Sequence, residues 1–308
     1  MTQYDLYYNP VVKKSFVKSP FNYIGGKYKL LSSIMPLFPK YTGVFVDVFG
    51  GGFNVGVNIP CKKVVYNDTI TPLVELMEYL YTNKISTTLN YIENTILEYD
   101  LNKENKETFN NFRLKYNNAT DPHPLDLYIL LCFSFNHQLR FNNQFEYNSS
   151  HGTNRSSFNK NMKHNLIRFM EELHNKKISF LNQDFRKINY LNYNSKISFF
   201  YFDPPYYITS SPYHDGKRGF GDWTIKEEQD LYELLNSLDS VGYHWGCSNV
   251  LIHDGKRNTI LNDWLDNNAY HCIPVESNYT NSNYQKKENS VNENNMEVYI
   301  TNIYSKIK

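Results

Sequence analysis

The feature that most constrains the fold is an apolar run that stops at an acid and two prolines. Residues 197–202 read Ile-Ser-Phe-Phe-Tyr-Phe, and Asp203-Pro204-Pro205-Tyr206 follows directly. An apolar run of this length is typical of a buried strand. Because proline lacks the N–H that a sheet ladder requires, the strand must end at Asp203. The run therefore predicts a strand whose end carries a carboxylate, a rigid turn and an aromatic ring.

This strand end has the chemistry of a site for a planar amino group. The Asp203 carboxylate and the Pro204 carbonyl can accept the two N–H bonds of such a group, and the Tyr206 ring can stack on the attached base. The alternative is an ordinary loop acid beside a Pro-Pro turn. The four residues alone do not decide between the two interpretations.

A glycine-rich turn follows an earlier predicted strand. Residues 44–48, which include Asp47, lead into Phe49-Gly50-Gly51-Gly52-Phe53. Glycines allow close approach of a ligand to the backbone and positive φ angles. The spacing is not that of a dinucleotide fingerprint, and the Gly-Lys-Ser/Thr ending of a phosphate-binding loop is missing. An acid beside such a turn suits a ligand with an amino group, and a purely structural turn is the alternative.

Two further segments carry candidate ligand-binding residues. The predicted strand at 63–67 ends at Asp68, and an acid at the end of the second strand of a doubly wound sheet is well placed for ribose hydroxyls. Nearer the start of the chain, Tyr23 precedes Gly25-Gly26-Lys27 and an apolar helix. This arrangement places a cation beside a flexible backbone, and by itself it is a weak motif.

The order of these segments predicts an α/β fold with a doubly wound sheet. Strand-like runs alternate with helical segments, and they end near Asp47, Asp68, Asp184, Asp203 and Asn249. A late strand from Met296 is expected to pair antiparallel with residues 271–275. Residues 81–173 do not alternate in this way and are mostly helical in pattern. We therefore expect an inserted domain at 81–173, with 1–80 and 174–308 forming the other domain.

Composition sets broad limits on function. The 308 residues are 41% hydrophobic, which is enough for a large core. The net charge of +1 gives no global basic field, although the 32 Lys and Arg residues can cluster on one face. The cysteines form no CxxC pair, so we expect no zinc site, no disulfide framework and a reduced, cytoplasmic environment; they are Cys61, Cys132, Cys247 and Cys272. No apolar stretch approaches the length of a membrane span.

Taken together and in order, the four segments resemble the Dam-type DNA adenine-N6 methyltransferases of the alpha arrangement. The matching stretches are 21–31, 45–53, 66–68 and 202–206, and residues 297–302 look like the last strand of that family. A chance occurrence of all four in order is far less probable than any single match. The resemblance implies a Rossmann-like methyltransferase sheet with a target-recognition domain between the second strand and the Asp-Pro-Pro-Tyr strand.

The resemblance also implies site residues and partners. The expected cofactor is S-adenosylmethionine (SAM), held by Tyr23, Gly26, Lys27, Asp47, Phe49, Gly50, Gly52, Asp68, Asp184 and Asp203. The expected catalytic residues are Asp203, Pro204 and Tyr206, without a metal. The expected DNA-reading residues are Asn136, Arg140, Asn142, Asn143 and Arg155, and contact of the two arginines with phosphates alone is the alternative. The implied partner is double-stranded DNA, and a cognate restriction endonuclease is a further candidate partner. The protein is expected to be a monomer in solution and not to bind a membrane.

The target is less constrained than the reaction. GATC is the first expectation for a short target, but residues 144–152 depart from the Gly-x-Phe-Asn and Pro-rich turn of relatives. A cytosine-N4 methyltransferase would often have Ser at position 203, and a methyltransferase for RNA or a protein glutamine would more often have Asn there. A catalytically silent DNA-binding homologue is a further alternative. Intact Asp203, Tyr206 and Gly50-Gly51-Gly52 favour an active adenine enzyme. The sequence leaves open whether the chain is an orphan, a phage enzyme or half of a restriction–modification pair.

Overall fold

The fold is built around one mixed sheet. The computed structural model describes residues 15–23, 25–40, 43–142, 144–209, 223–275 and 294–303. Within these ranges the strands are β1 (Val44–Asp47), β2 (Lys63–Asn67), β3 (Lys177–Leu181), β4 (Ser198–Phe202), β5 (His244–His253), β6 (Lys256–Arg257), β7 (His271–Val275) and β8 (Met296–Thr301).

The strand order confirms the predicted α/β sheet. It is β3-β2-β1-β4-β5-β8-β7, and the short β6 pairs with β5. Strands β3, β2, β1, β4 and β5 are parallel, whereas β8 runs antiparallel between β5 and β7. The winding direction reverses between β1 and β4, which is where open α/β sheets bind ligands. The predicted strand end near Asn249 is wrong, because pairing with β8 and β6 continues β5 to His253.

Helices cover the sheet and the middle of the chain. They are α1 (Leu31–Ile34), α2 (Asn54–Asn58), α3 (Thr71–Thr82), α4 (Ile85–Glu98), α5 (Lys106–Asn118), α6 (Pro124–Phe133), α7 (Lys160–His174), α8 (Ile225–Ser240) and α9 (Thr259–Asp266). Short 3₁₀ turns lie at Lys27–Leu30, Met35–Leu37, Phe135–His137, Phe185–Lys187, Tyr190–Asn192 and Tyr207–Thr209.

Local sequence explains where the helices begin. Pro72 lies in the first turn of α3, where its missing N–H costs nothing. Asn105 accepts hydrogen bonds from the backbone of Glu107 and Thr108 and so caps α5. At α8, Thr224 and Glu227 form a reciprocal capping box. These residues therefore fix where α3, α5 and α8 begin.

Alternate residues of β4 pack into two separate cores. Every residue of β4 is buried, as expected for a central parallel strand. Phe199 and Tyr201 pack with Phe45 and the helices of one layer, while Phe200 and Phe202 face α8 and α9 in the other. Burial on both faces fixes the register of β4 and therefore the position of Asp203.

The predicted recognition domain shares its core with the rest of the chain. Buried residues of α6 and α7 belong to the same cluster as Phe45 on β1 and Phe199 on β4. Helix α7, which lies almost entirely within the predicted range 81–173, packs on α2, α3 and β3. The boundaries of this domain stay a prediction.

The described residues contain no helix long and apolar enough to cross a membrane.

Candidate active site

The predicted acids meet at one edge of the sheet. Asp47 is the last residue of β1, Asp68 follows β2, and Asp203 follows β4. Asp47 pairs in register with Tyr66 and Tyr201, so these three strand ends are level with one another. The structure thus brings together the acids that the sequence places far apart.

Four side chains form a connected group around Asp203. Lys27 Nζ lies 2.7 Å from Asp203 Oδ1 and 3.4 Å from Glu297 Oε1. The Tyr206 hydroxyl lies 3.0 Å from Asp203 Oδ1 and 2.9 Å from Glu297 Oε1. Lys27 Nζ also lies 4.9 Å from the centre of the Tyr206 ring. Lys27, predicted to bind the cofactor, therefore directly contacts both predicted catalytic side chains.

Burial and charge oppose each other in this group. Burial raises the pKa of Asp203, and the Lys27 ammonium acts against that rise. Burial alone would lower the pKa of Lys27, but the carboxylates of Asp203 and Glu297 outweigh it and raise the pKa. Lys27 is buried, and its charge is compensated within the site.

The Asp-Pro-Pro-Tyr backbone leaves the sheet directly after β4. Pro204 is buried, Asp203, Pro205 and Tyr206 are half-buried, and a 3₁₀ turn begins at Tyr207. The predicted end of the strand at Asp203 is confirmed, since the ladder stops at Phe202.

The glycine turn after β1 is held from below by β2. The Gly50 N–H donates to the Asn67 carbonyl, the Gly51 N–H donates to Asp68 Oδ2, and the Tyr66 hydroxyl donates to the Gly51 carbonyl. A side chain at Gly50 would collide with the Tyr66 ring. Gly51 has a φ of 47°, in the left-handed region that glycine tolerates best. Glycine is thus required by packing in addition to any role towards a ligand.

Two buried acids flank this turn. Burial, with a smaller contribution from Asp203, raises the pKa of Asp47 to about 8. Burial raises the pKa of Asp68 to about 6, against the hydrogen bonds that its oxygens accept from the backbone. Asp47 Oδ2 accepts from the Gly56 N–H, and Asp68 Oδ1 accepts from the Ile70 N–H. Both carboxyl groups therefore help to build the loops beside them.

The N-terminal segment is tied to the glycine turn by asparagines of α2. Asn54 Oδ1 accepts from the Ser19 N–H, and Asn58 exchanges two hydrogen bonds with the backbone of Val17. The Tyr23 ring lies close to Gly51 and Gly52. Burial raises the pKa of Tyr23, as do the charges of Asp68 and Asp203. Tyr23 is thus close enough to both acids to feel their charge, and its binding of a cofactor stays a prediction.

Phe49 and Asp184 are in different surroundings. The Phe49 ring centre lies 5.5 Å from that of Phe185 and 5.6 Å from that of Trp223, so it lines an aromatic wall. Asp184 binds Arg186 through both carboxylate oxygens, and this contact lowers the pKa of Asp184. A ligand at Asp184 would have to share that carboxylate with Arg186.

Four of the five predicted DNA-reading residues are described by the structure, and they lie in or beside a small hairpin. Phe141 and Tyr147 form an antiparallel bridge, and the Asn142 side chain accepts from the backbone N–H groups of Gln144 and Glu146. Asn142 therefore builds the turn. Asn143 lies outside the described residues. At the base of the hairpin, Arg140 accepts a backbone hydrogen bond from Asn148.

Asn136 and Arg155 lie outside the hairpin itself. Asn136 has a left-handed backbone, and its carbonyl accepts from the Asn22 side chain. Asn22 is only one residue from Tyr23, so the predicted recognition segment touches the N-terminal loop. The Arg155 guanidinium lies 5.3 Å from the centre of the Phe135 ring, and both side chains are exposed.

The sequence model of the D12 class of N6 adenine-specific DNA methyltransferases matches residues 23–281. The chain belongs to this family. The match begins at Tyr23 and contains the glycine turn, the three strand-end acids and Tyr206. The expected family is therefore confirmed.

Three curated relatives of this D12-class chain are named as modifying enzymes. Modification methylase StsI of Streptococcus sanguinis is 43% identical over 293 residues, covering 95% of this chain and 44% of the relative. Type II methyltransferase M.FokI of Planomicrobium okeanokoites is 42% identical over 290 residues, covering 94% and 43%. Modification methylase LlaI of Lactococcus lactis subsp. lactis is 36% identical over 272 residues, covering 88% and 42%. The chain thus spans less than half the length of these relatives.

Glu297 is the contact that sequence analysis did not single out as a site residue. In the sequence it is an acid at the start of an alternating strand, which is usually a solvated position. A topological signal was present, because an antiparallel last strand starts at the edge where its parallel neighbours end. That rule places the first residues of β8 beside Asp203.

Proposed function

We propose that the chain is a site-specific DNA adenine-N6 methyltransferase that uses SAM and acts on a flipped-out adenine. The observation that carries this proposal is the setting of Asp203. Lys27 and Tyr206 hold its Oδ1, whereas Oδ2 has no hydrogen-bond partner among the described residues. The side chain keeps 17% of its accessible surface, so one acceptor oxygen can still be reached by an incoming amino group.

The residues beside Asp203 fit SAM by their chemistry. The buried carboxyl groups of Asp47 and Asp68 suit an amino group and ribose hydroxyls, and the glycine turn between them offers backbone without side chains. Tyr23, Gly26, Lys27, Gly50 and Gly52 would complete this pocket. Phe49 would pack on the adenine of the cofactor, with Asp184 near its edge. When bound, SAM would supply a methyl group on a positively charged sulfur.

Asp203 and Pro204 make the target amine reactive. The N6 lone pair of adenine is delocalised into the ring, so the amine is a poor nucleophile. The two N–H groups of the amine donate hydrogen bonds to Asp203 and to the Pro204 carbonyl. These hydrogen bonds localise the nitrogen lone pair towards the methyl group of SAM. Burial, which raises the pKa of Asp203, makes that carboxylate a stronger acceptor. The remaining contribution is placement of the reacting groups in line.

Tyr206 supplies the face on which the flipped base stacks. Its ring lies beside Asp203 and is fixed at the hydroxyl end by two carboxylates. A base that stacks there has its exocyclic amine next to Asp203. Because stacking is worth about 1–3 kcal/mol per base, Tyr206 would repay part of the cost of flipping.

The names of the relatives support a role in restriction–modification. We infer that the chain protects DNA from a cognate restriction endonuclease, and that Asn136, Arg140, Asn142, Asn143 and Arg155 take part in DNA binding. The proposed target is a short sequence that contains adenine, and GATC is the first candidate to test. The three alternatives are action on RNA, action on cytosine N4 and a silent homologue.

One experiment separates these possibilities. The protein is incubated with methyl-labelled SAM and either duplex DNA of random sequence or RNA, and the methylated nucleoside is identified by mass spectrometry. N6-methyladenine in DNA is the expected product. N4-methylcytosine, label in RNA or no label would each contradict the proposal in favour of a named alternative. Sequencing of the modified DNA then gives the target site.

A further inference from the structure

Glu297 joins the Asp203 group from β8, which is two strands away from β4 in the sheet. It is the second residue of β8 and lies in register with Val250 on β5 and Val275 on β7. Pairing on both sides holds its backbone, so its side-chain position is set by the sheet. Its side chain keeps 26% of its accessible surface.

The contacts of Lys27 use all three of its ammonium hydrogens. Nζ lies 2.9 Å from the Gly25 carbonyl, 2.7 Å from Asp203 and 3.4 Å from Glu297. A buried ammonium with three acceptors is fully satisfied. If the Glu297 carboxylate is removed, one N–H loses its acceptor and Asp203 becomes the only charged partner of Lys27 within the group.

The Tyr206 hydroxyl has one hydrogen and two carboxylates within reach. Asp203 Oδ1 and Glu297 Oε1 are almost equally distant from it, at 3.0 Å and 2.9 Å. When the hydrogen points to Glu297, Asp203 is relieved of one donor. Glu297 therefore holds the hydroxyl end of Tyr206 in place, and Asp203 does not have to accept that hydrogen bond.

We propose that Glu297 is a positioning residue for methyl transfer. This inference rests on the proposed function. Glu297 holds Lys27 and Tyr206 in place, so that Asp203 keeps one oxygen, Oδ2, for the target amine. Its charge matters as well as its shape. Two carboxylates share one ammonium, so Lys27 cannot fully neutralise Asp203, and Asp203 stays a strong acceptor.

The ionisable groups around this centre define what a pH profile reports. The groups in electrostatic contact with Glu297 are Lys27, Asp203, Tyr206 and Tyr201. The charge of Asp203 also raises the pKa of three groups on other elements, which are Tyr23, Asp47 and Cys247. The charge of Glu297 raises the pKa of Asp203 and of Lys27. Loss of that charge lowers both pKa values.

The test compares two small changes made at opposite ends of one contact. Glu297→Gln keeps an acceptor oxygen but removes the charge, and Tyr206→Phe keeps the ring but removes the hydroxyl. The double variant completes the cycle, and Glu233→Gln, at an exposed position on α8, is the matched control. Single-turnover methylation of duplex DNA is measured from pH 5 to 9, and SAM affinity is measured by calorimetry.

We expect each site variant to lose about tenfold in single-turnover rate, with SAM affinity changed less than twofold. The double variant should lose less than the product of the two single losses, because both changes act on the same contact between Tyr206 and Glu297: one weakens it and the other removes it. The acid limb of the Glu297→Gln profile should move to lower pH, which a purely structural role would not cause. Glu233→Gln should match the wild type.

Three results would overturn the inference: a wild-type rate and pH profile in Glu297→Gln, multiplicative losses in the double variant, or an equal loss in Glu233→Gln. If Glu297→Gln does not fold, a wild-type rate in Tyr206→Phe overturns the inference, and a reduced rate supports it. Failure of the proposed function looks different, because the wild-type protein would then leave every DNA substrate unmethylated.

Discussion

Two regions of the molecule use their polar side chains in opposite ways. One is the group around Asp203, the proposed transfer site, and the other is residues 136–155, the proposed recognition segment. At the transfer site, Lys27, Asp203 and Glu297 come from distant parts of the chain and bind one another. In the recognition segment, polar side chains largely bind nearby backbone, as Asn142 does in its own turn. A chemical centre has to be assembled by the whole fold, whereas a reading surface needs only a local scaffold that presents a few exposed groups.

This difference matters for what a substitution does. A change at the transfer site leaves a buried charge without its partner, so it alters both chemistry and electrostatics. A change in the recognition segment alters either the scaffold or one contact with DNA. Substitutions in the two regions should therefore differ in the size and kind of their effects.

Asp203→Ala should abolish methyl transfer while the fold and most DNA affinity survive. Loss of the acceptor is expected to remove about 2.7–4 kcal/mol or more of transition-state stabilisation, the scale seen when one preorganised polar group is deleted. Lys27 keeps Glu297 as a partner, which limits the structural damage. Labelled methyl transfer and gel-shift binding measure the two quantities, and Asp263→Ala on the exposed side of α9 is the control. Wild-type turnover in Asp203→Ala would refute the mechanism.

Asp68→Ala should weaken SAM binding by about 1.5–3 kcal/mol, since it removes a carboxylate proposed for the ribose hydroxyls and the acceptor for the Gly51 N–H. Lys27→Ala should also weaken SAM binding, and it should reduce transfer more than affinity because Lys27 directly contacts Asp203. Calorimetric titration with SAM measures both variants, with Asp121→Ala at an exposed position as the control. Unchanged SAM affinity in both variants would contradict the proposed binding of SAM at Asp68 and Lys27.

Sequence predicted the sheet well because burial on both faces leaves few choices. The apolar run of β4 predicted a buried strand, and the prolines after it marked the end of that strand correctly. The antiparallel pair of β7 and β8 was also expected and is confirmed. The length of β5 was missed, because its extension to His253 depends on pairing with β8 and β6, which local sequence does not encode.

The site was predicted in part for the same physical reason. Asp47, Asp68 and Asp203 end parallel strands, so topology alone brings them together. The tie of Lys27 to Asp203 and the approach of Glu297 depend on how the N-terminal loop and β8 lie across the strand ends. The ion pair of Asp184 with Arg186 is local, two residues apart, and could have been anticipated.

Arg140→Ala should relax the preference for one base of the target at a cost of about 1–3 kcal/mol, if this arginine reads a base edge. The expectation follows from its half-buried position at the base of the hairpin, because a partly buried side chain has fewer conformations open to it than an exposed one. Methylation of a randomised-site library, read by single-molecule sequencing, gives the motif directly. An unchanged motif would assign Arg140 to the scaffold or to phosphate contact.

Asp47→Asn should stabilise the protein increasingly as the pH rises from 5 to 8. The folded protein keeps the Asp47 proton up to about pH 8, whereas the unfolded chain releases it at the ordinary carboxyl pKa. The stability that this group contributes is therefore fully present at acid pH and is lost as the pH rises towards 8. Asparagine does not titrate, so the difference should grow by at most about 1.4 kcal/mol per pH unit.

Urea unfolding at several pH values measures that difference, with Asp263→Asn as an exposed control. A constant difference across the range would show that Asp47 is ionised in the folded protein. The variant should also bind SAM less tightly, because the Asp47 carboxyl can release its proton and pair with the amino group of SAM, whereas asparagine cannot become charged. An acid kept at a cost in stability would mark Asp47 as a functional residue of the transfer site.

Arg155→Ala is expected to have the smallest effect, and it tests the other side of the comparison. Arg155 is exposed and forms no salt bridge among the described residues, with the Phe135 ring as its neighbour. A side chain so loosely held suits a phosphate better than a base edge, which demands fixed bidentate geometry.

Loss of the Arg155 side chain should weaken binding to all sequences alike, by less than about 1 kcal/mol, and should lower the slope of log affinity against log salt by about 1. Lys196→Ala, exposed just before β4 at the opposite edge of the sheet, should leave that slope unchanged. A changed target motif in Arg155→Ala would instead show that this exposed arginine contacts a base edge. The surface that reads the DNA sequence would then extend beyond the hairpin.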